Sequence, residues 1–185
     1  MHKVIAWIIA LLTVAFVGWS MMRLVYGSDG PTTADVARGV QTLQPGADDD
    51  RAARLASVFS TAGQRHEIDP LLLVAIAFRE SSLSPEVELH RRRGQLGEGG
   101  LMQVHGVALT RRPHYCPTPL PDAECQVETG AAWLAEVRET CGGSWWRWVA
   151  AYGMARCPSE NDARSADSAR AAHRYYRRIG GAQWR

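Results

Sequence analysis

One run constrains the fold of this chain more than any other. Leu71 to Phe78 carries no polar side chain; Asp69-Pro70 precedes it and Arg79-Glu80-Ser81 ends it. An Asp side chain accepts from the free N–H groups of a first helical turn, and Pro suits the first helical position, so the pair starts a helix. The Leu and Ala content favours helix over strand. A helix apolar on every side has no face to offer to water and must lie inside the domain. Its charged end is then the point of interest. A carboxyl at the end of a buried helix is partly desolvated, which raises its pKa toward the range useful to a general acid. Glu80 is therefore the leading candidate for chemistry. The competing reading is an ordinary helix-end glutamate, solvated or paired to Arg79.

The elements expected around that helix are helical too. Leu55, Val58, Phe59 and Ala62 fall at i, i+3, i+4 and i+7, which predicts a helix over Arg51 to Arg65, weakened at its end by Gly63. Asp48-Asp49-Asp50 supplies negative charge at its N-terminus, where the helix dipole favours it. Gln126 to Thr140 reads as a helix with Val127, Ala131, Leu134 and Val137 or Arg138 on one face, stopped by Gly142-Gly143. Ser144 caps the next, which puts Trp145, Trp148, Val149 and Tyr152 on one face and is expected to run to Cys157-Pro158. Ser159 to Arg178 reads as a final helix. Pro117, Pro119 and Pro121 predict an irregular loop between Cys116 and Cys125. No strand pattern is convincing, so the fold class is mainly α.

The N-terminal stretch bears on location. Val4 to Val17 is apolar apart from Thr13, Gly18 to Met22 extend it, and Lys3 and Arg23 flank it. The run approaches the roughly 20 residues that a bilayer span needs, with Trp7, Trp19 and Tyr26 suited to the interfaces. A transmembrane or signal helix is expected over residues 1–26, as an uncleaved anchor in preference to a signal peptide cut near Val25-Tyr26-Gly27. Gly27 to Asp50 reads as a linker, rich in Gly, Pro, Thr and Asp. The folded domain is then expected over residues 51–185. Either N-terminal reading sends it to the cell envelope: facing the periplasm from the inner membrane if anchored, secreted if cleaved. The four cysteines agree with export. Their simplest pairing is Cys116–Cys125 with Cys141–Cys157, each closing a short loop. A zinc site is disfavoured, since there is no Cys-x-x-Cys pair and His114 is the only suitably placed His nearby. No metal or organic cofactor is expected. A formal net charge of +2 is too small to suggest nucleic acid as a partner. Arg91-Arg92-Arg93 and the arginines Arg174, Arg177 and Arg178 read as solvated surface.

Gly97, Gly99 and Gly100 permit close backbone approach, and Leu101-Met102-Gln103 offers two apolar contacts and one amide. Glu80-Ser81, then Gly100-Leu101-Met102-Gln103 about twenty residues on, then Ala151-Tyr152, together resemble the catalytic domain of the soluble lytic transglycosylases. These are lysozyme-like domains that cleave peptidoglycan, and the likeness covers about Leu55 to Arg156. The resemblance implies that Glu80 is a single catalytic acid/base. It also implies that Ser81, Gly100 and Gln103 line the sugar cleft, with Met102 packed beside them and Tyr152 hydrogen-bonded near the glutamate. The family usually has Asn after Ala-Tyr; this chain has Gly153, which removes hydrogen bonds near the site. The implied reaction cuts the β-1,4 bond between N-acetylmuramic acid and N-acetylglucosamine and leaves 1,6-anhydromuramyl ends. The implied partners are peptidoglycan strands and, through the N-terminal helix, the membrane.

Two alternatives compete. Gly97 to Val104 is also similar to goose-type lysozymes, which place an acidic residue in the loop before this motif. Glu98, or Glu86 or Glu88, would then activate a water as the second carboxylate of a muramidase, where the plainer reading of Glu98 is a solvated loop residue. A non-catalytic glycan-binding or assembly module would keep the cleft without the chemistry. A zinc endopeptidase is excluded by pattern, because His66-Glu67 is followed by Ile68-Asp69-Pro70 and lacks the second His.

Overall fold

The computed structural model describes residues 30–91, 99–104, 122–154, 156–159 and 163–181. Among these, the chain forms α1 (Thr33–Leu43), α2 (Asp49–His66), α3 (Pro70–Ser81), the short α4 (Pro85–Glu88), α5 (Ala123–Cys141), α6 (Trp145–Tyr152) and α7 (Ala163–Arg178). The described β pairing is one isolated antiparallel bridge, Gly99 to Val104. The mainly helical class expected from the sequence is what the chain adopts.

The apolar run forms α3 as its boundaries dictate. Asp69 Oδ1 accepts the Leu71 N–H at 2.8 Å, with Pro70 in the first turn. Leu71 to Ala77 are all buried. The helix is enclosed by α1, α2 and α7. Helix α7 holds it at both ends. The Tyr176 hydroxyl donates to Asp69 Oδ2 at 2.5 Å, and the Tyr175 ring meets Phe78 edge-on at 4.8 Å. On the neighbouring α2, Leu55, Phe59 and Ala62 are buried and Val58 partly so. That helix runs past Gly63 to His66 and stops where Glu67 turns left-handed. Val127, Ala131, Leu134 and Val137 form the buried face expected of α5.

The stretch Gly27 to Asp50, expected to be a linker, holds a core helix instead. The compact unit begins at Pro31, twenty residues before the expected start at Arg51. Helix α1 buries Val36, Val40 and Leu43, and Gly39 lets it lie close to its neighbours: a Cβ there would stand 3.2 Å from the Leu71 side chain and 3.4 Å from that of Ile179. The Gly that suggests a linker is thus a packing contact. A capping box starts the helix, with Thr32 Oγ1 accepting from the Asp35 N–H and Asp35 accepting from the Thr32 N–H.

Two further boundaries differ. Helix α6 ends at Tyr152 and gives way to a turn at Gly153-Met154, so it does not reach Cys157-Pro158. The chain there comes back to the end of α5, where Cys157 pairs with Cys141, Cα–Cα 5.3 Å apart. Ser159 is not helical, and α7 starts at Ala163. Ser144 is the N-cap of α6, though without a side-chain hydrogen bond. Cys125 is disulfide-bonded; Cys116, the proline loop, Glu98 and the N-terminal run over residues 1–26 lie outside the described residues. Among the described residues no helix is long and apolar enough to cross a membrane.

Candidate active site

The site assembles where three pieces of chain end. Glu80 is in the last turn of α3, its side chain 19% exposed, with Arg79 Nη1 donating to its Oε1. The backbone then reverses through three polar interactions. Ser81 Oγ donates to the Ala77 carbonyl at 2.8 Å and accepts the Leu83 N–H at 3.1 Å. Ser82 and Leu83 both have positive φ, a strained exit for residues with side chains. Arg51, reaching over from α2, donates to the Leu83 carbonyl at 2.8 Å and holds that exit in place.

The glycine-rich turn is the second piece. Gly100 has φ +75, and a Cβ there would meet the Gln126 side chain at 2.5 Å, so only glycine fits on both counts. The Gly100 carbonyl accepts from the Gln103 backbone N–H at 3.1 Å and from Gln103 Nε2 at 2.8 Å, which closes the turn on itself. Leu101 and Met102 point into the core and are fully buried. Met102 packs on α5 at Gly130, where a Cβ would lie 2.5 Å from its own.

Tyr152, the last residue of α6, joins the two. Its buried hydroxyl donates to the Met102 carbonyl at 2.7 Å, while its own carbonyl accepts from Trp133 Nε1 at 3.1 Å. Burial first, and then the negative charge of Glu80, push the phenol well above the ordinary tyrosine range; Arg79 pulls weakly the other way. The phenol therefore stays neutral, as a donor beside the carboxylate. Tyr152 thus bonds to the turn through the Met102 carbonyl and feels the charge of Glu80.

Among the described residues, two other buried carboxylates, Glu88 and Glu128, are occupied. Glu88, buried at the end of α4, is gripped by Arg51 at 2.8 Å and Arg54 at 2.7 Å. A carboxylate held by two guanidiniums is a structural anchor for the segment after α3 rather than an available base. Glu128 on α5 is buried against Arg65 at 3.0 Å and His66 at 2.8 Å. Glu86 is exposed at the start of α4.

A comparison with known protein families matches residues 57–174, more than half of the chain, to the transglycosylase SLT domain. The chain belongs to this family. The helical architecture is consistent with the lysozyme-like fold expected of it, and membership assigns the SLT domain to transglycosylase-type action on peptidoglycan. No curated protein and no solved structure gives a significant match.

Within this SLT domain the expected residues fall into different jobs. Ser81 was expected to line the cleft; it is 4% exposed, and its hydroxyl both donates to and accepts from backbone. Its part is to shape the exit of α3 and so to aim Glu80. Gln103 is half-buried with φ +45, its amide nitrogen committed to Gly100. Glu98 lies outside the described residues. Sequence reasoning missed Gln126, which is fully buried. Its Oε1 accepts the Leu101 N–H at 2.8 Å and its Nε2 donates to the Glu88 carbonyl at 2.8 Å, clamping the glycine turn to the end of α4. The signal was present: Gln126, Gly130, Trp133 and Val137 form a second buried stripe on α5, beside the one anchored by Val127.

Proposed function

We propose that this SLT domain is a lytic transglycosylase that cuts the β-1,4 bond between N-acetylmuramic acid and N-acetylglucosamine, with Glu80 as its one acid/base. One observation carries the reading. Glu80 ends a fully enclosed helix beside a neutral buried tyrosine, while the best-placed other described carboxylate, Glu88, is held by two arginines. With Glu88 taken up as an anchor, a site built on Glu80 suits chemistry that lets the substrate supply the second group.

The steps balance with no water. Protonated Glu80 gives its proton to the glycosidic oxygen as the bond from that oxygen to the muramic C1 breaks. The 2-acetamido oxygen of the same sugar bonds to C1 and carries the positive charge as an oxazolinium. Glu80, now a carboxylate, takes the proton of the C6 hydroxyl. The C6 oxygen displaces the acetamido oxygen at C1, giving a 1,6-anhydromuramyl end and restoring the acid. Tyr152 and the turn Gly100 to Gln103 act on this reading as the wall that fixes the muramic ring against Glu80. Ser81 positions the carboxylate through the backbone.

The apolar run Val4 to Val17 belongs to the same proposal as an envelope anchor, with the catalytic unit on the periplasmic side of the inner membrane. The Cys141–Cys157 bridge supports an oxidising destination.

The test is mass spectrometry of muropeptides released from purified sacculi by the wild type and by Glu80→Gln, which keeps the shape and removes the transferable proton. The expected result is anhydro ends from the wild type and a loss of at least about a hundredfold in the variant. Reducing ends would make the enzyme a muramidase instead. Equal lysis by Glu80→Gln would remove Glu80 from the chemistry.

A further inference from the structure

Arg79 and Glu80 are adjacent in sequence, and neighbouring side chains on a helix ordinarily diverge. At the end of α3 they converge. Arg79 Nη1 donates to Glu80 Oε1, while Nη2 donates to Ser168 Oγ on α7 at 2.7 Å. The guanidinium is thus stretched between the candidate acid and a different helix. It lies beside exposed Gly153, where a Cβ would stand in ordinary contact, 3.9 Å from Arg79 Nη1. The side chains of Arg79 and Glu80 are 28% and 19% exposed, which leaves the pair only partly screened by water.

We propose that Arg79, anchored by Ser168 beside Gly153, is a positioning residue that holds the Glu80 carboxyl in place and sets the pH above which the enzyme loses its acid. The inference rests on Glu80 being the acid, as argued above. A positive charge in contact with a carboxyl favours its ionised form. Cleavage needs the protonated form, so Arg79 brings the alkaline limb of the activity profile to lower pH. In return the proton that is present is given up more readily, because a more acidic group is the stronger donor.

Several charged and titratable groups on the neighbouring helices have described partners of their own. Tyr152 from α6 faces it and is neutral. From α7, His173 is stacked on Trp145 and Tyr175 on Phe78. From α2, Arg51 and Arg54 are bound to Glu88, and from α1, Asp35 and Arg38 pair with each other.

The experiment is the pH profile of initial release of soluble muropeptides from sub-saturating sacculi, for wild type, Arg79→Gln, Arg79→Lys, Ser168→Ala and Glu80→Gln. Replacing Arg79 by Gln is expected to move the alkaline limb up by about one pH unit and to lower the maximal rate. Arg79→Lys, which keeps the charge, holds the limb near its original place. Ser168→Ala, which frees the guanidinium, moves it in the same direction by less. A uniform loss across all pH values in Arg79→Gln, with Glu80→Gln inactive, overturns this inference and leaves the site assignment standing. Activity retained in Glu80→Gln sinks the site assignment first. If a melting curve shows Arg79→Gln unfolded, Ser168→Ala decides alone, and an unmoved limb in that variant refutes the proposal.

Discussion

Replacing Gln126 by Leu isolates the clamp on the glycine turn. Leu fills nearly the same volume, so the packing against Gly100 survives while both hydrogen bonds go. The Leu101 N–H and the Glu88 carbonyl, each bonded at 2.8 Å in the wild type, are left without their partner. A buried backbone group left unsatisfied costs about 1–3 kcal/mol. Two such groups set an upper bound of roughly 6 kcal/mol. Half-buried His90 lies beside the same amide at 3.4 Å, so water can reach the neighbouring end and recover part of that cost. The expected loss is about 2–4 kcal/mol. Urea unfolding should show a midpoint lower by roughly 1–2 M with an unchanged slope. Activity should fall by more than the folded fraction, on the order of ten- to a hundredfold, because the turn that faces Glu80 is no longer held to within an ångström. A stability loss below about 1 kcal/mol, together with wild-type activity, would mean that the turn holds its shape without Gln126 and that the clamp is incidental.

Three other substitutions probe separate joints. Gly130→Ala puts a methyl 2.5 Å from Met102 Cβ and is expected to cost about 1–3 kcal/mol in thermal or urea unfolding; an unchanged melting temperature would show slack under the turn. Val40→Ala removes two methyls from a fully buried site on α1 and should cost about 2 kcal/mol, whereas a linker would show no change. Tyr152→Phe strips the Met102 carbonyl of its donor and should cost about 1–3 kcal/mol at neutral pH. Its pH dependence follows from the raised phenol: the unfolded chain ionises Tyr152 near the ordinary value of about 10 and the folded chain only above it. The tyrosine's contribution is therefore complete below pH 10 and lost as pH rises through the folded value. The stability gap between wild type and variant should narrow above pH 10, and a gap that stays constant to pH 11 would contradict the buried phenol.

The central helix was legible because its boundaries and its apolarity are both local. Asp69-Pro70 names the start, and eight apolar residues leave only burial as an outcome. The same holds for the faces of α2 and α5, where 3.6-residue periodicity reports directly on packing. Helix α1 was harder. Its apolar residues are few, and Gly39 weakens the helical pattern; what makes it a helix is the groove that α3 and Ile179 offer to a residue without a side chain. The Thr32-x-x-Asp35 capping box and the i, i+4, i+7 spacing of Val36, Val40 and Leu43 were the local signs of it. At the site, Glu80 and the glycine turn were readable as motifs. The positions of Ser81 and Gln126 were not, because each is decided by which backbone groups happen to lack partners in the folded chain. The pairing of Glu88 with Arg51 and Arg54 spans separations of 37 and 34 residues, which spacing in the sequence does not reveal.

The helix that carries Glu80 owes its two fixed ends to α7, the last of the described helices. Tyr176 reaches Asp69 across 107 residues, and Ser168 reaches Arg79 across 89. Closing loops of that length costs on the order of 4 kcal/mol of chain entropy each if formed alone. These clasps are therefore profitable to form only together and only after the body between them has condensed. During synthesis α1 and α2 emerge before α3 and α7 after it, so the two clasps are the late contacts of this helix. The order runs in reverse on loosening: a fluctuation that lifts α7 releases the guanidinium and the helix cap at once, and Glu80 loses its aim while most of the core is still intact.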